Sequence, residues 1–169
     1  MNQNTFINLI DPVKDKMYRL ALRLLISKES AEDATQEVFL KLWNGNKKIK
    51  DYANLEAFAM RVTRNYCLDQ LKAKQNSNLK IAHTNYESKE ASVHDQLEVT
   101  DELELVSQIV EGLPEQQRII FQLRNIEQYE FEEIAKITKM NETAIRVALS
   151  RVRKKIREEL LKKHNYGIE

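Results

Sequence analysis

Between Thr143 and Lys163 the chain carries 8 basic residues and only 2 acidic ones. That density suits a polyanion. Glu142, Thr143, Arg146, Val147 and Ser150 fall on the outward side of a helical pattern, where these residue types can reach base edges or phosphates in a major groove. Arg151, Arg153, Lys154, Lys155 and Arg157 follow them. Upstream, Phe131-Glu132-Glu133-Ile134-Ala135-Lys136-Ile137 reads as a short amphipathic helix and Thr138-Lys139-Met140 as a turn. Asn141 is the cap of a final helix with Ala144, Ile145, Ala148, Leu149, Val152 and Ile156 inward. Short helix, turn, second helix is the helix-turn-helix arrangement, and Ala135 is small where the two helices must approach. Lys162 and Lys163 suit the helix dipole and solvent.

A second constellation lies in residues 30–43. Asp33, Gln36, Glu37 and Lys41 form a polar face opposite the Val38 and Leu42 stripe. From the residues alone it is equally a solvated surface and a docking surface.

Other chemistries find no support. One cysteine, Cys67, excludes an internal disulfide framework and a Cys-rich zinc site, and reads as a small buried hydrophobe. His83, His94 and His164 are scattered without a second ligand at helical spacing, so no metal or other cofactor is expected. No carboxylate pair or nucleophile constellation supports catalysis, and no enzyme is expected. No apolar run approaches the ~20 residues of a membrane span. Met1-Asn2-Gln3-Asn4 lacks a signal-peptide start. The expected location is the cytoplasm, without membrane insertion.

The elements that must position these groups are helical. Only 3 Gly and 2 Pro occur in 169 residues, and 31% of residues are charged, which reads as all-α. The net charge of +1 conceals a pattern: +4 over residues 1–75, −6 over 76–112 and +3 over 113–169. Asp11-Pro12 reads as a helix start, with Val13, Met17, Leu20, Ala21, Leu24 and Leu25 on one face and a short helical turn before it. Ser30 reads as the cap of a second helix that Gly45 ends. A third begins after Asn54, with Leu55, Phe58, Ala59, Val62 and Tyr66 as its core stripe. Periodicity fades from Gln75 to Val99, which reads as a flexible connector. Order returns near Thr100, with Leu103, Val106, Ile109, Val110 and Leu113 inward, then a restart at Leu113-Pro114-Glu115. The expected organisation is two small helical domains, 1–74 and 100–169, joined by residues 75–99.

The segment Ser30 to Trp43 resembles the clamp-binding helix of bacterial RNA polymerase sigma factors of the extracytoplasmic-function type. Met60 to Lys72, with Arg61, Arg64-Asn65 and Asp69, resembles that family's promoter-melting helix. Leu113-Pro114-Glu115-Gln116-Gln117-Arg118 resembles the start of its second domain. Glu133-Ile134-Ala135 and Leu149 to Ile156 resemble its helix-turn-helix. The match runs in order over nearly the whole chain. It departs where the family's turn has Gly and this chain has Lys139, where Asn125-Ile126-Glu127-Gln128-Tyr129 lacks a usual Gly, and where Phe58 replaces a common Trp.

The resemblance implies a sigma factor that binds core RNA polymerase through Asp33, Gln36, Glu37 and Lys41. It implies upstream promoter recognition by Glu142, Thr143, Arg146, Val147, Ser150, Arg151, Arg153 and Lys154. Melting would fall to Lys48 and Tyr52, in the basic loop 46–53, with Arg61, Arg64, Asn65 and Lys72. Capturing an unstacked base costs a few kcal/mol; Asn65 offers donor and acceptor atoms for its edge, and Arg61, Arg64 and Lys72 offer charge for phosphates. Members of the family are often held by an anti-sigma factor. The alternative reading is a free-standing helix-turn-helix transcriptional regulator, which binding to core polymerase separates from the first.

Overall fold

The structure, a computed structural model, describes residues 2–45, 54–81 and 102–166. Among them are seven α-helices and no strand: α1 Gln3–Leu25, α2 Lys28–Asn44, α3 Leu55–Ile81, α4 Glu102–Glu111, α5 Glu115–Phe121, α6 Phe131–Thr138 and α7 Glu142–Tyr166. Helix α5 runs on into a π-helical turn, Gln122–Ile126.

Helix α1 corrects the start read at Asp11-Pro12. Asn2 is its cap, accepting from the Thr5 N–H at 2.8 Å, and Pro12 lies inside the helix. A proline there removes one helical hydrogen bond. The helix continues because Phe6 and Ile10 before it and Val13 and Met17 after it bury one unbroken stripe, each large side chain contributing about 1.5–3 kcal/mol. The cap of α2 is Ser27 rather than Ser30: its hydroxyl accepts from the Ser30 N–H at 3.3 Å. Helices α1, α2 and α3 pack together as the N-terminal bundle. Helix α3 continues through Ile81, into the segment read as connector. Its inward stripe is Leu55, Ala59, Met60, Thr63 and Cys67; Phe58 is 38% exposed rather than in the core. Leu103, expected inward, is 79% exposed on the first turn of α4.

The C-terminal unit is built around α5, α6 and α7. A capping box links Glu130 and Glu133 at the start of α6, and Asn141 Oδ1 accepts from the Ala144 N–H at 2.7 Å at the start of α7. Ile134, Ile137, Ile145 and Leu149 are buried where α6 and α7 cross.

The two units share a core. Ile119, Ile120, Leu123, Tyr129 and Ile134 belong to the same buried cluster as Phe6, Met17, Leu24 and Ala59. Helix α1 packs on α5, and α3 packs on α6. Polar contacts frame this seam. Arg19 holds Glu127 with two bonds, of 2.5 and 2.8 Å. Arg23 donates to Gln122 at 2.9 Å and to Ser107 at 3.0 Å. Arg118 donates to the carbonyls of Arg23 and Leu24, which otherwise lack partners at the end of α1. Tyr129 donates its hydroxyl to Glu56 at 2.9 Å, and Lys16 reaches the same carboxylate at 2.7 Å.

Among the described residues, three other than glycine have positive φ: Ile26 at 69°, Gln128 at 61° and Lys139 at 59°. Gln128 and Lys139 lie in the segments where the resemblance led one to expect Gly. Left-handed backbone costs an L-residue roughly 1–2 kcal/mol, part of which glycine gives back in chain entropy. Ile26→Gly and Lys139→Gly should each stabilise the chain by about 0.5–1 kcal/mol in urea titration. The gain should be larger at Ile26, which is β-branched and 52% exposed.

Burial pushes the Cys67 thiol up to about 12. Burial, then the bond to Glu56, lifts the Tyr129 phenol well above its ordinary range. Both groups are held neutral in the folded chain. Their contribution is complete below the unfolded values, about 8.5 and 10, and is lost as pH rises toward the folded ones. Thermal melting followed from pH 8 upward should show falling stability, and Cys67→Ala and Tyr129→Phe should each flatten that alkaline limb.

Candidate nucleic-acid interface

Asn141 starts α7 just past the left-handed turn at Lys139, and the buried Ile145, Leu149 and Val152 fix which side faces inward. Glu142, Thr143, Arg146, Val147, Ser150, Arg151, Arg153 and Lys154 are consequently all exposed. They divide into adjoining stripes. Arg146, Ser150, Arg153, Lys154 and Arg157 line a groove of about 450 Å³ whose apolar floor is Leu149 and Phe131. Thr143, Val147 and Arg151 lie beside it on the next stripe of the helix. Arg146 has Glu142 at 3.9 Å, while Lys155 is drawn away to Glu159 at 3.2 Å. The Lys155 and Lys162 ammonium groups hold the Glu159 carboxyl below its ordinary value. Phe131 was not among the sequence candidates; its spacing to Arg146 across the turn gave no signal, whereas Arg157 belongs to the basic run already read on this helix.

Helix α3 brings Phe58, Arg61, Asn65 and Lys72 onto one stripe, by the helical period. The Arg61 guanidinium lies 5.6 Å from the Phe58 ring centroid, within the ~6 Å range of cation–π attraction. Arg64 is half-buried and donates to Asn65 Oδ1 at 2.8 Å, which leaves the Asn65 amide N–H groups to face a ligand. Burial lowers the Arg64 pKa, and its Nε is buried without a partner. Phe58 is the aromatic that sequence reasoning assigned to the core. The expected contributions of Lys48 and Tyr52 lie outside the described residues.

On α2 the residues Asp33, Gln36, Glu37 and Lys41 are exposed, and Leu40, 51% exposed, lies among them. The Lys41 ammonium sits 4.8 Å from the Tyr66 ring centroid. Burial, then Glu37 and Asp33 among the nearby charges, raises the Tyr66 hydroxyl. Leu40 is an apolar centre in a charged rim, an arrangement common at docking surfaces; the polar pattern around it had hidden it.

None of the helices among the described residues is long and apolar enough to cross a membrane. No cluster of His, Cys, Asp or Glu among them could hold a metal ion.

The sigma-70 region 2 family model matches residues 9–77, and the model for sigma-70 region 4 matches residues 103–156. The ECF RNA polymerase sigma factor SigX of Bacillus subtilis is 25% identical over 165 residues, covering 94% of this chain and 84% of its own. SigW of the same organism is 24% identical, covering 94% and 90%. SigE of Mycolicibacterium smegmatis is 26% identical, and the alignment spans 58% of its length. Among solved structures, the sigma factor RpoE of Bartonella quintana, in complex with the anti-sigma factor NepR, superposes with a TM-score of 0.76 at 21% identity, covering 94% of this chain and 97% of that one. CnrH, in complex with the cytosolic domain of CnrY, gives 0.68 at 19% identity, covering 94% and 89%. With both sigma-70 regions in order and an all-helical fold shared with known sigma factors, the chain belongs to the RNA polymerase sigma factors of the extracytoplasmic-function type.

Proposed function

We propose that this sigma factor docks on core RNA polymerase through Asp33, Gln36, Glu37 and Lys41, with Leu40 at the centre of the contact. The stripe of Arg61, Asn65 and Lys72, supported by Arg64 and joined by Lys48 and Tyr52, captures and stabilises unpaired promoter DNA. Glu142, Thr143, Arg146, Val147, Ser150, Arg151, Arg153 and Lys154 bind the upstream element. The factor acts in the cytoplasm and has no reaction of its own. The domains that carry this work are residues 1–74 and 100–169. The observation that carries the reading is the presence, on one chain, of an exposed docking face on α2 and two separate polar and basic faces, on α3 and α7.

The two promoter elements of the family lie roughly one and a half duplex turns apart, ~55 Å. Helix α6 rests against α3, so the promoter-bound factor is an opened form in which α6 has left α3. Residues 82–101 reach ~65 Å at full extension, which is enough. An anti-sigma factor that favours the closed arrangement would inhibit by preventing that separation. Structural relatives in complex with such factors support this partner class.

The experiment is in-vitro transcription with bacterial core polymerase on a genomic fragment library. Transcripts that start at defined sites only when the chain is present support the reading. A chain that neither binds core polymerase nor directs initiation overturns it.

A further inference from the structure

Phe131 opens α6 and forms part of the groove floor beside α7. Two guanidinium groups face its ring. The Cζ of Arg146 is 4.8 Å from the centroid and that of Arg124 is 4.6 Å, both inside the ~6 Å range of cation–π attraction. They come from different elements, α7 and the π-helical turn. Arg124 is anchored independently: it donates to the Tyr129 carbonyl at 2.9 Å and has the Glu130 carboxylate at 3.7 Å. Arg146 has no comparable anchor. Its side chain is 63% exposed, and its carboxylate neighbour Glu142, itself 45% exposed, is 3.9 Å away, a loose pair that solvent screens.

A long exposed arginine loses rotamer entropy when it is fixed on a ligand. A ring that holds it beforehand reduces that loss. A guanidinium held by its face also keeps its N–H edges free for a bidentate contact, which a carboxylate partner would occupy. We infer that Phe131 is a positioning residue for DNA recognition, its ring holding Arg146 in the orientation that engages the upstream promoter element. The inference rests on the reading of α7 as the helix that binds that element. Placing Arg124 on the same ring adds a second positive charge at the groove, which draws in the phosphate-bearing strand.

The test uses holoenzyme assembled from the full chain and core polymerase. The probes are promoter fragments selected by the wild-type holoenzyme and the same fragments with the upstream element scrambled. Phe131→Leu and Arg146→Ala should each reduce discrimination between the two by about tenfold, within the range for one good base contact. The double variant should lose no more than either single one, because both remove the same interaction. Phe131→Tyr, which keeps the ring, should restore discrimination, while core binding stays unchanged in all variants. Wild-type discrimination by Phe131→Leu, additive losses in the double variant, or failure of Phe131→Tyr to rescue would overturn the inference. Phe131→Met, another ring-free replacement, guards against a folding defect peculiar to leucine, and loss of helicity in both overturns the inference in favour of a packing role. A wild-type holoenzyme that selects no fragment overturns the sigma-factor reading itself, whereas selection with unaltered Phe131→Leu discrimination overturns only the role of Phe131.

Discussion

Reversing Asp33 and Glu37 together to arginine is expected to reduce affinity for core RNA polymerase by at least a hundredfold while leaving the fold intact. Both carboxylates are exposed on α2, on the side opposite the buried Ala31, Ala34, Val38 and Leu42. Their replacement leaves no buried charge, so circular dichroism and melting temperature should change little. Binding is different. A charge pair at an interface that becomes a like-charge pair costs several kcal/mol, and each 1.4 kcal/mol is tenfold in affinity. Two reversals on one face exceed what the rest of the contact can offset. Leu40→Ala tests the apolar centre of the same face and should weaken binding by a smaller factor, without the salt dependence of the reversals. Affinity unchanged in the double reversal, measured by fluorescence anisotropy against core polymerase, would falsify the assignment of α2.

The second large effect concerns the seam between the two units, and it should be asymmetric. The Glu127 side chain is 2% exposed and that of Arg19 is 45% exposed. Arg19→Ala strands a buried carboxylate with only Gln122, at 3.3 Å, to serve it, and should destabilise the closed chain by about 1–3 kcal/mol. Glu127→Ala leaves an arginine that water can still reach, and should cost clearly less. The double variant should resemble Glu127→Ala alone. Urea unfolding of the four proteins measures this directly. Equal losses for the two single variants would show that the buried Glu127 carboxylate is not stranded by loss of its arginine. In holoenzyme, Arg19→Ala should form open complexes at least as fast as wild type, since separating α6 from α3 then costs less.

How far these features could be read from residues alone depends on where their information lies. The helix-turn-helix was legible because α6 and α7 are strongly amphipathic, and because Asn141 is a capping residue in the expected place. Left-handed backbone at Lys139 followed from a missing glycine. Pro12 misled because proline at a first helical turn and proline inside a helix look alike locally; only the buried stripe from Phe6 through Met17 decides between them. Ser27 and Ser30 are equally good caps by type, and the choice depends on which residues α2 buries. Phe58 fitted a core pattern, yet α3 turns it outward beside Arg61. The polar frame of the seam was invisible for a physical reason: Arg19, Arg23 and Glu127 are residue types that ordinarily face solvent. Nothing in their local spacing pairs positions 108 residues apart.

That long pairing bears on how the chain is made. The α1 face that receives α5 is translated early, and its partners emerge about a hundred residues later. At ribosomal rates of ~5–20 residues per second, this leaves roughly 5–20 s in which part of the N-terminal bundle has no cover. During that interval the nascent chain presents apolar surface around Leu24 and Leu25 to solvent. A seam that serves the finished protein as a closure is therefore, on the ribosome, a vulnerable surface, and synonymous codons that slow translation between α3 and α5 should lower the soluble yield without altering a single residue.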